Sequence, residues 1–170
     1  MDGVRRAPVV AAPAIGIEVS TGLDASEQDA YQELQCYTLA HGGLAFVHQH
    51  VLDAWVAQHA GAGTKPIGLT FALAGLYLHV EHGFTGRQVQ RAHMTMGRRK
   101  RPWPAFALPV ERGDVRVKHV LAAPPGHERD AAIAAWCASV WNAFRENRAA
   151  VAALLEEYDI RPCRIANHGS

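Results

Sequence analysis

Side chains able to do chemistry concentrate in two stretches of this 170-residue chain. Phe46 to His59, FVHQHVLDAWVAQH, carries His48, His50, His59 and Asp53, and Leu78 to Gly83, LHVEHG, carries His79, Glu81 and His82. Neutral imidazoles are ligands for zinc, iron, nickel or copper. An ion with an open coordination position activates water or polarises a substrate. The expected cofactor is therefore a divalent transition metal.

On a helix turning about 100° per residue, His48, Leu52, Trp55 and His59 form an inward row. His48 and His59 are about 16 Å apart along that axis, so they cannot share one ion. His79 and His82, one turn apart, can. The expected ligand set is thus His79 and His82 with His48 or His59 from a neighbouring helix, and His41 as an additional candidate. His50 and Asp53 fall on the opposite, outward side of the wheel. Together with Glu81 they are the candidates for orienting a ligand or taking a proton. For each histidine the plainer alternative is a core hydrogen bond to a carbonyl or hydroxyl.

The elements that must position these residues read as helices. Asp24 followed by Glu27 resembles a capping box and starts a helix that runs to about Ala40. Gly42-Gly43 and Gly61 to Gly63 bound the histidine stretch. Thr64 and Pro66 open the next helix, which is apolar nearly all round and therefore central. Gly68, Ala72, Gly75 and His79 form a small-residue stripe on it, where another backbone could come close. Thr85 and Gln88 form a second capping box, for a helix to about Arg98. Residues 102–113 read as a proline-punctuated crossing and 114–123 as a short helix or extended piece. His127 to Glu157 reads as one last helix, with Asn147 on its inner stripe in need of a partner. The expected fold is all-α: a single-domain bundle of about five helices over 23–160, with a flexible arm at 1–22 and a tail at 161–170.

Composition bounds the rest. The formal net charge is +1 with ten histidines, so no global field calls for a polyanionic partner. Cys36, Cys137 and Cys163 make an odd set without CxxC spacing, as expected of a reducing cytoplasm. No apolar run approaches the roughly 20 residues of a membrane span. No GxGxxG, GxxxxGK[ST], HExxH or GxSxG occurs. A small-molecule substrate is compatible with this pattern, as is a homo-oligomer; nucleic acid and membrane are not expected partners.

Two further readings stay open. Arg98, Arg99, Lys100 and Arg101 precede Trp103, a segment that could clamp phosphate and stack a base in a non-enzymatic binding module. Arg87 and His93 form an Arg-His pair of the kind found in some helical ribonucleases. Finally, YTLAHGGLAFVHQHVLDAWVAQHA, KPIGLTFALAGLYLHVEHGFTGRQVQRAHMTMGRRKRPWP and WCASVWNAFRENRAAV resemble an uncharacterised bacterial family, a domain of unknown function, over roughly residues 30–158. That resemblance implies a relative and brings no reaction, cofactor or catalytic residue. The chain is also similar in architecture to helical-bundle metalloproteins whose ligands are histidines on neighbouring helices.

Overall fold

The computed structural model describes residues 24–41, 43, 45–99 and 102–161. The expected arm at 1–22 and nearly all of the expected tail lie outside them. The described residues form helices and connecting segments without a strand. In chain order the helices are α1 (Ala25–Ala40), α2 (His48–Gln58), α3 (Pro66–His82), α4 (Gly86–Gly97), α5 (Val117–Ala122), α6 (His127–Ala143) and α7 (Arg148–Glu157). None is long and apolar enough to cross a membrane.

Local chemistry sets several of the boundaries. Asp24 caps α1 by accepting from the Ser26 amide at 3.1 Å. Gly83 closes α3 in the left-handed region. Thr85 and Gln88 close a complete capping box: the Gln88 amide donates to Thr85 Oγ1, and the Thr85 amide donates to Gln88 Oε1 at 2.8 Å.

Helix α3 is the hub, in contact with α2, α4, α6 and α7. Every residue from Ala72 to Leu78 is buried. Its uniform apolarity has a plain physical cause, since a helix covered on all sides has no solvent face to mark with charge. Helix α2 lies against α3 and is also covered by α1, α4 and α6. Trp136, Trp141 and Phe144 of the α6 segment fill the centre.

Two expectations need correction. The chain forms seven helices among the described residues rather than about five, partly because the last helix is broken. The chain leaves α6 at Phe144, makes a 3₁₀ turn over Arg145–Asn147 and resumes as α7. The break lets Asn147 face the proline-rich crossing. Its Nδ2 donates to the Ala107 carbonyl and its Oδ1 accepts from the Ala107 amide, both at 2.9 Å. The required partner of Asn147 is therefore backbone from the crossing segment, 40 residues upstream. Asn147→Ala removes both bonds and is expected to lower stability by about 2 kcal/mol. The readout is a fall in the urea midpoint with an unchanged m-value.

A second set of bonds seats the rest of the crossing. Gln58 Nε2 donates to the carbonyls of Arg112 and Val115, and Gln58 Oε1 accepts from Trp136 Nε1 at 2.9 Å. Ser139 Oγ accepts from the amides of Asp114 and Val115. These contacts fix α5 and the crossing on α2 and α6, and so complete the cover over α2.

Candidate functional site at the crossing of α2 and α3

The approach of α2 to α3 is set by glycine. Gly75 faces Asp53 so closely that a Cβ there would fall inside the Asp53 carboxyl group, 2.7 Å from Cγ and 3.1 Å from Val89 Cγ1. The small-residue stripe on α3 thus admits a side chain from α2 rather than a backbone. Gly68 of the same stripe has open space around it. A second tight point lies at the mouth of the crossing. The Gly86 amide donates to the Ala45 carbonyl at 2.6 Å, and a Cβ on Gly86 would lie 2.6 Å from the Phe46 carbonyl carbon. Phe46 itself has φ +49°, a strained value for a residue with a side chain.

One turn before Asp53, His50 stacks on His79 of α3, with ring centroids 3.6 Å apart and planes within 18°. His50 and Asp53 are each only 4% exposed. This corrects the expectation that both point outward. A helical wheel assumes one covered face, whereas α2 has neighbours on several sides and its polar turn is buried with the rest.

Hydrogen bonds leave this cluster incompletely satisfied. Gln49 Nε2 donates to Asp53 Oδ1 at 3.1 Å, but Asp53 Oδ2 is buried without a partner. His50 Nδ1 is likewise buried and unpartnered. His79 Nδ1 lies 3.1 Å from the Phe84 carbonyl. A carbonyl only accepts, so this nitrogen carries the proton and Nε2 bears the free lone pair. Cys137 donates weakly to the His50 carbonyl at 3.6 Å.

Burial sets the protonation states. It holds the Asp53 carboxyl well above the usual carboxylate range, against the opposing bond from Gln49. Burial pushes the His50 imidazole down to about 3, with His79 beside it adding to the effect. His79 is lowered by burial too, partly offset by its bond to Phe84. Burial and the nearby Asp53 raise the Cys137 thiol. At neutral pH the two imidazoles are uncharged and Cys137 is a thiol, while burial favours the protonated form of Asp53.

The other expected site residues do not join it. His48 is buried with Nδ1 2.8 Å from Thr38 Oγ1, and burial lowers its pKa. The His59 ring lies on Trp55 with centroids 3.7 Å apart. Its Nδ1 donates to the Trp55 carbonyl, and Nε2 lies 3.8 Å from Glu27 Oε2. The His82 ring stands edge-on to Tyr77, so the expected pairing of His79 with His82 is not formed. Glu81 accepts from Trp141 Nε1 at 2.9 Å and from Nε and Nη2 of Arg148 at 2.8 Å each. Burial alone would raise the Glu81 pKa, but these bonds outweigh it and hold the group ionised. Glu81 thus joins α3 to α6 and α7. His41 is exposed, and its Nδ1 donates to the Tyr37 carbonyl. Among the described residues no group of three or more His, Cys, Asp or Glu side chains is arranged to hold a metal ion.

The basic segment also packs differently from its expected role. Trp103 lies between Phe71 at 5.2 Å and Tyr158 at 6.3 Å, so its ring is used within the fold. Arg99 donates to the Glu157 carbonyl, while Lys100 and Arg101 lie outside the described residues. His93 Nε2 donates to the Phe71 carbonyl at 2.9 Å, whereas Arg87 sits over the Phe46 ring. The Arg87–His93 pair therefore does not converge on a common point.

Sequence reasoning missed Gln49 and Cys137 as members of the cluster. Gln49 had a usable signal, because it stands at i, i+4 to Asp53. Cys137 had none, since it comes from a distant helix. No curated protein and no solved structure matches the chain. The model of the family of unknown function DUF5946 matches residues 18–145, so the chain belongs to that family.

Proposed function

We propose that this DUF5946 member is an enzyme dependent on a divalent transition metal, with the ion held at the crossing of α2 and α3 by His50, Asp53 and His79. The observation that carries this reading is the pair of buried, unpartnered atoms one turn apart on α2, His50 Nδ1 and Asp53 Oδ2. Each such atom costs the fold on the order of 1–3 kcal/mol. A cation would satisfy both atoms. Asp53 binds an ion as the carboxylate, so ion binding becomes tighter as pH rises through its raised titration range.

The stacked rings define what ion uptake requires. Imidazole lone pairs lie in the ring plane, and two planes within 18° of parallel do not aim at one point. The Phe84 bond fixes His79 with Nε2 free, so His50 is the ring that turns. The Cys137 thiol is directed at the His50 carbonyl and stays out of the donor set. Two imidazoles and one carboxylate leave coordination positions for water and substrate. An ion held there would supply Lewis-acid activation of water, and His79, the half-buried member of the trio, is its most solvent-accessible side chain.

The test is stoichiometric binding of Co²⁺, followed by its visible absorption. The wild-type chain is expected to take up about one equivalent. His50→Ala and His79→Ala are expected to abolish uptake. His48→Ala, His59→Ala and His82→Ala are expected to retain it. Loss in this second group with retention in the first would return the site to the ligand set read from the sequence.

A further inference from the structure

A net charge of +1 conceals a strong local segregation. Between His82 and Val110 the sequence places six of the 17 Lys and Arg residues and no Asp or Glu. The remainder of the chain therefore holds 11 basic residues against 16 acidic ones.

Helix α4 sorts part of this charge onto one line. Arg87, Arg91, Met94 and Arg98 follow the i, i+4, i+7, i+11 spacing and are all exposed. The opposite face, Val89, Ala92 and Met96, is buried in the core. Among the described residues none of the three arginines is in an ion pair; Arg87 lies over the Phe46 ring 5.4 Å away. Like charges this close repel one another, so the stripe costs stability unless an anion covers it.

We infer that the outer face of α4 is a docking track for the phosphate backbone of a nucleic acid. Arg87 to Arg98 spans about 16 Å along the helix. That length lets the three guanidinium groups meet several phosphates along one strand. Guanidinium groups meet phosphates through two parallel hydrogen bonds, which suits arginine over lysine. The flanking Gln88 and Gln90 add neutral side-chain donors that tolerate any sequence. A membrane surface is the poorer fit, because the apolar face of α4 is already used inside the protein. A protein partner is also poorer, because Met94 alone does not make the apolar centre of a protein interface. The track is independent of the ion proposed at α2 and α3.

The experiment is fluorescence anisotropy of a labelled 20-nucleotide dT strand with the full chain at 50 and 200 mM salt. Three phosphate contacts give a slope of log K on log salt of about −2, which is about twentyfold weaker binding at the higher salt. Arg91→Gln/Arg98→Gln is expected to keep the wild-type circular dichroism and to flatten the slope by about 1.4. Removing His50 or His79 is expected to leave the binding unchanged. The inference is overturned by absent binding at 50 mM salt, by a slope that the double substitution does not move, or by binding to phosphatidylserine vesicles with none to the strand.

Discussion

Acidifying the metal-free protein from pH 7 to pH 5 is expected to cost about 4 kcal/mol of folding stability through His50 and His93 alone. Burial holds their imidazoles at about 3 and about 4, while in the unfolded chain both titrate near the ordinary histidine value. The sign follows from proton counts. Between the folded and unfolded values the unfolded chain binds more protons, so stability rises with pH there. The contribution is complete above about 6.5 and is lost as pH falls toward the folded values. His48, His59, His79 and His82 are lowered as well and add to the loss.

Asp53 works in the opposite sense. Its folded value is raised, so its contribution is present at low pH and is lost as pH rises through the window between the unfolded and folded values. On acidification it returns at most about 1.4 kcal/mol per pH unit, less than the histidines together remove. Urea midpoints at pH 7, 6 and 5 measure the balance. His93→Gln is expected to shallow the pH dependence and Asp53→Asn to steepen it. Equal midpoints at pH 7 and pH 5 would mean that the buried imidazoles accept protons without unfolding.

The second large effect is expected at Gly75. In an ordinary helix interior Gly→Ala stabilises by about 1 kcal/mol. Here the added methyl group would enter the Asp53 carboxyl group, which is buried and would have to shift, with Val89 Cγ1 close on the same side. Overpacking of this kind costs about 3 kcal/mol, so Gly75→Ala is expected to destabilise by about 2 kcal/mol net. For a chain of this length that corresponds to a fall in Tm of about 6 °C. Adding Asp53→Ala removes the clash, and the double variant is expected to recover part of the loss, a coupling of 1 kcal/mol or more on the scale of about 0.5–3 kcal/mol for residues in contact. A Gly75→Ala protein more stable than wild type would show that the Asp53 side chain does not occupy this space.

Much of the scaffold was legible because its determinants are local. The Asp24 cap, the Thr85–Gln88 box, the Gly83 stop and the all-round apolarity of α3 each act within one or two turns of their own helix. The features that were not legible depend on partners far away in the chain. Asn147 breaks the last helix for the sake of Ala107, and Trp103 is claimed by Phe71 and Tyr158. The candidate site was half legible for the same reason. His79 was identified on the small-residue stripe of α3, but its neighbour there was not. The hydrophobic wheel of α2 chose one covered face, and His50 and Asp53 were assigned to solvent. Cover by α1, α3, α4 and α6 buries the side that carries His50 and Asp53 and leaves the stripe of Gln49, Leu52 and Val56 half-buried, and that cover is a property of the packed bundle.

The central claim is that an ion completes the His50–Asp53–His79 cluster. Elemental analysis of untagged protein, purified without chelator, tests it most directly, with His79→Ala and Asp53→Asn prepared in parallel. The account expects about one equivalent of a transition metal in the wild-type chain and little in either variant, all three remaining helical. A wild-type chain free of metal, and taking up none when Zn²⁺ or Co²⁺ is added, would contradict it and leave the cluster as a neutral polar joint between α2 and α3.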